Sequence, residues 1–198
     1  MSSTTQGTPK NAINVIAVVH DDVPGSARKT IYADHFHPLV SELKSFTGRQ
    51  VHVVFAGGKP YSNFDYKGDE VLKTLQDWEP LGHRLLSEMK KEGLETNNLT
   101  KVILLTNDML SDRAAGAALL WPPTGTGTVA ISSLGSYLFV GHEIGHLLGA
   151  RHEDYEVQYN GWWSETYMAP KRDLLRTIAY TFSPANRKNI MNYLADKD

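Results

Sequence analysis

The 198-residue sequence contains no cysteine. Disulfide staples, thiolate metal ligands and a cysteine nucleophile are therefore excluded, and any metal must be held by nitrogen or oxygen donors. A charge imbalance is also missing, with 20 basic residues against 22 acidic ones. That balance lacks the electrostatic footprint of a nucleic-acid or anionic-membrane partner. No apolar run approaches the roughly 20 residues needed to cross a bilayer. Met1 to Lys10 are polar and carry no apolar stretch of the kind found in a secretory signal. These absences lead to the following expectations: a disordered tail over 1–11, one domain over 12–198, a monomer, and no nucleic-acid or membrane partner. The expected location is the cytoplasm, or the outside of the cell by a leaderless route.

What the chain does contain is an alternation of apolar runs and amphipathic segments. Ile13 to Val19 is apolar and largely β-branched, and it ends in polar residues and Pro24-Gly25, as a buried strand would. A helix is expected next, capped by Ser26, with Ile31, Phe36, Leu39, Val40, Leu43 and Phe46 at near-helical spacing, and Gly48 closing it. Pro38 must start, kink or split that helix. Val51 to Ala56 reads as a second strand and Lys101 to Leu105 as a third. Between them a helix from about Asp69 to Glu92 places Val71, Leu75, Trp78, Leu85 and Met89 on one face, with a bend at Pro80. Strand, helix, strand, helix, strand predicts an α/β domain with a mostly parallel twisted sheet and crossover helices. His35, His37, His52 and His83 fall in these packing elements and are assigned no chemistry. Val129 to Ile131 supplies another short strand. Ser183 followed by Pro184 is a good helix start, so a C-terminal helix is expected from there to about residue 195.

The stretch that carries chemistry is His142-Glu143-Ile144-Gly145-His146-Leu147-Leu148-Gly149-Ala150-Arg151-His152. On a helix, positions i and i+4 share a face, so His142 and His146 can offer ring nitrogens to one metal ion. Glu143 follows a ligand directly and is placed to act as a base rather than a ligand. Gly149 permits a sharp turn, which frees His152 to return as a third ligand. Three protein ligands leave a fourth position open, as in a catalytic zinc site. Leu138, Phe139, Ile144, Leu147 and Leu148 would anchor this helix, expected over Ser136 to Leu148, to the core.

The pattern HExxHxxGxxH resembles the zinc-binding motif of the metzincin metallopeptidases. That resemblance implies Zn2+ as cofactor, an extended peptide or protein as substrate, and an upper subdomain (12–149) over a small irregular lower one (150–198) that ends in a helix. It also implies an antiparallel edge strand ahead of the zinc helix that pairs with the substrate backbone. Residues near 114 to 121 are the candidate, with Ala117, Ala118 and Leu119 at the substrate. A turn carrying a methionine beneath the metal is implied as well. Met168, in Tyr167-Met168-Ala169-Pro170, resembles this turn in the adamalysin or reprolysin branch, and Ala169 and Pro170 would then face the substrate. Its rival is Met191, in Ile190-Met191-Asn192-Tyr193, which resembles the astacin and serralysin turn, where Tyr193 would be an extra zinc ligand. Glu153 after the third histidine also matches the astacins. Trp162 and Trp163 are read as part of the lower subdomain's core, with a wall of the substrate cleft as the alternative. The absence of cysteine departs from the many secreted relatives stapled by disulfides. The expected activity is zinc-dependent endopeptidase, with Glu143 as general base. The alternative is a catalytically silent, zinc-stabilised peptide-binding module, in which Glu143 would have no chemical purpose.

Overall fold

The computed structural model describes residues 10–159 and 161–197. Of the expected tail, residues 1–9 lie outside the described residues, and Lys10 and Asn11 prove to be anchored. The Lys10 ammonium donates to the Thr47 carbonyl at 3.3 Å, and the Asn11 amide donates to the Lys197 carbonyl at 2.9 Å.

Five strands form the main sheet: β1 (Ile13–Val19), β2 (Val51–Ala56), β3 (Thr100–Thr106), β4 (Gly116–Ala118) and β5 (Val129–Ser133), in the order β2-β1-β3-β5-β4. The first four strands in this order are parallel to one another, and β4 runs antiparallel to β5 at the edge. β1, β3 and β5 are buried throughout, because helices cover both faces. Strand alternation sorts the core into two layers. Ile13, Val15, Ala17, Ile103 and Leu105 face one way, and Ile16, Val18, Val102 and Leu104 face the other.

The second layer is closed by one long helix, α3 (Val71–Lys91), whose buried Leu75, Trp78 and Leu85 occupy the face read from the sequence. This helix runs through Pro80 without ending, and Gly93, just past it, takes a φ of +97°. The first layer is covered by α2 (His37–Thr47), α4 (Phe139–Leu147) and α5 (Pro184–Leu194).

The segment after β1 differs from the single Ser26-capped helix expected. A four-residue α1 (Gly25–Arg28) begins with Pro24 at its cap position and Ser26 inside it. A π-type turn over Tyr32–Phe36 then leads into α2. Pro38 is the physical reason. It lacks the N–H that would bond back to residue 34, and it disfavours helical geometry just before it. The chain widens there, and the His37 N–H reaches back five residues to the Tyr32 carbonyl.

After α4 the chain forms a 3-10 turn (His152–Asp154) and a small sheet of β6 (Val157–Tyr159), β7 (Trp163–Glu165) and β8 (Thr177–Ile178) before α5. Ser183 caps α5, its hydroxyl oxygen accepting from the Asn186 N–H at 3.1 Å, with Pro184 at the first turn. Trp162 and Trp163, expected in a lower core, are instead 61% and 55% exposed. Three short strands make too small a sheet to enclose them. Among the described residues no helix is long and apolar enough to cross a membrane.

Candidate metal centre

The centre is built on α4, a short helix with a glycine on its lower face at positions i and i+4. A Cβ at Gly141 would fall 2.3 Å from the Tyr167 ring, and one at Gly145 would fall 2.7 Å from the Met168 Sδ and from the Phe182 ring. Glycine costs a helix about 1 kcal/mol of propensity relative to alanine. Here it permits Tyr167 and Met168, both fully buried, to press against the backbone of α4.

The helix stops in a double hydrogen-bonded turn. The Gly149 N–H reaches the His146 carbonyl at 3.0 Å and the Ala150 N–H reaches the Gly145 carbonyl at 2.9 Å, with Gly149 at a φ of +92°. This reversal carries His152 back over the helix. Its approach is fixed by Asn186, fully buried on α5, whose side chain grips the backbone of Arg151. The Arg151 N–H donates to Asn186 Oδ1 at 2.7 Å, and Asn186 Nδ2 donates to the Arg151 carbonyl at 3.0 Å.

As a result the three Nε2 atoms converge: His142 to His146 is 3.2 Å, His146 to His152 is 3.0 Å, and His152 to His142 is 2.8 Å. The far side of two rings is committed to carbonyls, His142 Nδ1 to Tyr167 O at 2.7 Å and His146 Nδ1 to Ala150 O at 3.1 Å. A carbonyl only accepts, so both Nδ1 atoms carry the proton and both Nε2 atoms present lone pairs. Bare lone pairs at this separation repel, and a cation between them relieves the repulsion. A tetrahedral zinc with bonds of about 2.0–2.1 Å holds its nitrogens about 3.3 Å apart, within about half an ångström of each side of this triangle. Burial first, and then the neighbouring imidazoles, push the His142 pKa down to about 3 and that of His146 to about 4. Both rings are therefore neutral and ready to ligate at physiological pH. These three residues could hold a metal ion.

His142, Glu143 and His152 line a cavity of about 230 Å³. Its walls are Arg113, Ala114, Ala115 and Gly116 on one side, and Ala169, Pro170 and Arg172 on the other, with Leu138 and Phe139 between. Glu143 is buried, and desolvation pushes its carboxyl up to about 8. The carboxylate packs under the edge strand so closely that a Cβ at Gly116 would lie 2.7 Å from its Oε1.

Ala169 and Pro170 thus stand at the cavity, whereas the side chains of Ala117, Ala118 and Leu119 do not. Ala117 and Leu119 pack into the layer under α3, and Ala118 packs into the opposite one. The strand meets the cavity through its backbone. Ala115 and Leu119 bond toward β5, with Ser133 N–H to Ala115 O at 2.8 Å and Leu119 N–H to Val129 O at 3.0 Å. In an antiparallel ladder this alternation turns the N–H and C=O groups of Gly116 and Ala118 outward, to the unpaired edge.

Of the two methionines, Met168 lies against α4, while Met191 is 38% exposed on α5. Tyr193 is not at the histidines. Its ring packs on Gly149 and its hydroxyl accepts from the Lys101 ammonium at 2.8 Å, because the helical path of α5 directs it toward the start of β3. Gly116 and Asn186 were not singled out from the sequence. The only signal for Gly116 was a glycine within a strand-like run, which marks close approach of another group. Asn186 gave no signal.

No family model matches the chain, and no curated protein matches it in sequence. Solved structures do. The crystal structure of metalloproteinase-II from Bacteroides fragilis is similar over 96% of this chain and 55% of that one, with a TM-score of 0.60 and 18% identity. The fold resembles that of a metalloproteinase. A chain in the structure of a chaperone–substrate complex is similar over 96% of this chain and 35% of that one, with a TM-score of 0.52 and 15% identity. The chain therefore spans little more than half the length of the metalloproteinase it resembles. Neither likeness favours one branch of the metzincins, so the adamalysin-like reading gains no support.

Proposed function

We propose that the chain is a zinc-dependent endopeptidase. The observation that carries this reading is the meeting of three imidazole Nε2 atoms, two with their tautomer fixed by carbonyls, beside a buried glutamate in a cavity bounded by an unpaired sheet edge. His142, His146 and His152 are the zinc ligands. Zinc bound there supplies a Lewis acid that polarises the scissile carbonyl and acidifies a water.

Every other task falls to the chain. The outward backbone groups of Gly116 and Ala118 hold the substrate extended by main-chain hydrogen bonds. Glu143 takes the proton of the attacking water and delivers it to the leaving amine. Its raised affinity for a proton suits that return step, and a nearby divalent cation draws it back toward the ionised form needed for the first. Met168 is the methionine of the turn beneath the metal, an apolar polarizable floor that need not ligate.

The experiment is digestion of a peptide library by the metal-loaded chain, with and without a chelator, alongside Glu143→Ala. Cleavage that disappears with chelator and in the variant, while the variant still binds one zinc, supports the reading. A Glu143→Ala chain that cleaves at the wild-type rate defeats it.

A further inference from the structure

Six of this chain's eight arginines are held by partners. Arg28 and Arg49 donate to backbone carbonyls, Arg84 pairs with Glu88, Arg172 and Arg176 with Glu165, and Arg187 with Glu42. Arg151 lines a separate cavity beside α5. Arg113 remains. Among the described residues its exposed guanidinium has no ion pair or hydrogen bond, and its backbone N–H alone is engaged, by Ser111 Oγ at 3.3 Å. Arg113 belongs to the wall of the cavity that His142, Glu143 and His152 also line.

The charges around that cavity favour an incoming carboxylate. Asp112, next in the chain, lines a different cavity, together with Asp69 and Asp108. Glu143 is the one carboxylate in the wall itself, and it is buried beneath Gly116. On the opposite wall the Arg172 charge is spent on Glu165 at 2.7 Å. A free guanidinium is a planar fork of donors matched to a carboxylate, and a charge-assisted pair of this kind is the strongest single contact this rim can offer a ligand.

Arg113 sits in the Ser111–Ala114 turn that leads into the edge strand. Glu143 lies under Gly116, and Arg113 is three residues ahead of it. At about 3.3 Å per residue that is at most about 10 Å, the span of two or three residues of an extended substrate.

We propose that Arg113 is a specificity-determining residue that selects substrates bearing a carboxylate two or three residues from the bond held at Glu143. This inference rests on the peptidase reading above. The carboxylate is either an Asp or Glu side chain or the free C-terminus of the substrate.

The test uses the full zinc-loaded chain and two sets of octapeptides. One set is C-terminally amidated with Glu or Gln at each position in turn, and the other carries Gln throughout with a free or amidated C-terminus. The expected ratio of kcat/KM for the carboxylate-bearing peptide over its neutral counterpart is about tenfold. It should fall to near unity in Arg113→Gln and invert in favour of Lys-bearing peptides in Arg113→Glu. The set that shows the ratio identifies the source of the carboxylate. A wild-type ratio near unity in both sets, or a preference that persists in Arg113→Glu, overturns the proposal. Fluorescence polarisation of a labelled Glu octapeptide and its Gln counterpart on Glu143→Ala, with and without Arg113→Glu, reads the same preference without turnover. If no peptide is cut, the peptidase reading falls, and this binding comparison still decides the role of Arg113.

Discussion

At the residue scale the converging histidines were legible because all three sit within eleven consecutive positions, so local helix geometry and one glycine turn bring them together. What supports them and Glu143 was not, because it arrives from elsewhere in the chain. Gly116 is one case. Alanine there would place a Cβ 2.7 Å from Glu143 Oε1 and 3.0 Å from the Ile131 carbonyl. The strand backbone is fixed by its ladder, so the carboxylate is the group that must move. Gly116→Ala is expected to retain one zinc per chain by metal analysis while kcat falls by about 10- to 100-fold, the usual effect of misplacing a catalytic group by about 1 Å. Asn186 is the other case. It holds the peptide before His152 by two hydrogen bonds, both to the backbone of Arg151. Asn186→Ala should weaken zinc binding by about 10- to 100-fold in a chelator competition, as is typical when an outer support of a metal ligand is lost. Unchanged affinity would show that the Gly149 turn alone fixes His152.

At the scale of elements, strands and crossover helices were readable because a buried strand and an amphipathic helix leave different periodicities. Two departures show where periodicity stops informing. The near-helical spacing across residues 26–47 said nothing about the backbone bond that Pro38 removes, and so one helix became a short helix, a π-type turn and α2. The two tryptophans looked like core by composition, yet a three-stranded sheet offers no second layer for them. α5 was legible from its Ser183-Pro184 start, but its attachment was not. Glu42, buried on α2, binds the Arg187 guanidinium of α5 at 2.8 and 2.9 Å and accepts the Phe182 N–H at 2.8 Å. Glu42→Gln keeps the shape and removes the charge. The expected loss is about 2 kcal/mol in urea unfolding, below the range for a fully buried pair, because Arg187 stays 39% exposed and can be hydrated. A loss under about 0.5 kcal/mol would mark the pair as no better than an ordinary surface ion pair.

At the scale of the whole molecule the C-terminal helix is tied back to the main sheet through Lys101. It is the second residue of β3, and its buried side chain donates to the Gly127 carbonyl at 2.7 Å and to the Tyr193 hydroxyl of α5 at 2.8 Å, with no carboxylate partner among the described residues. Burial first, and then the nearby Lys197 charge, push its pKa down to about 7 from an ordinary 10.5. Between those two values the unfolded chain holds a proton that the folded chain has released, so the stability contributed at this site rises with pH across that window. Below about pH 7 both forms are protonated and the contribution levels off at its lowest value. Tyrosines with raised pKa values, Tyr61 and Tyr66 among them, act in the opposite sense once the unfolded chain begins to lose their protons near pH 10. The informative range therefore ends before that. Lys101→Met removes the titrating group, and the difference in unfolding free energy between wild type and variant cancels every other group that titrates alike in both. That difference should shift steadily in favour of the wild type from pH 7 to pH 9.5 in urea titrations at fixed zinc. A difference that stays level would mean that Lys101 remains an ammonium in the folded chain, stabilised by its two oxygen acceptors and the Tyr193 ring 5.0 Å from its nitrogen.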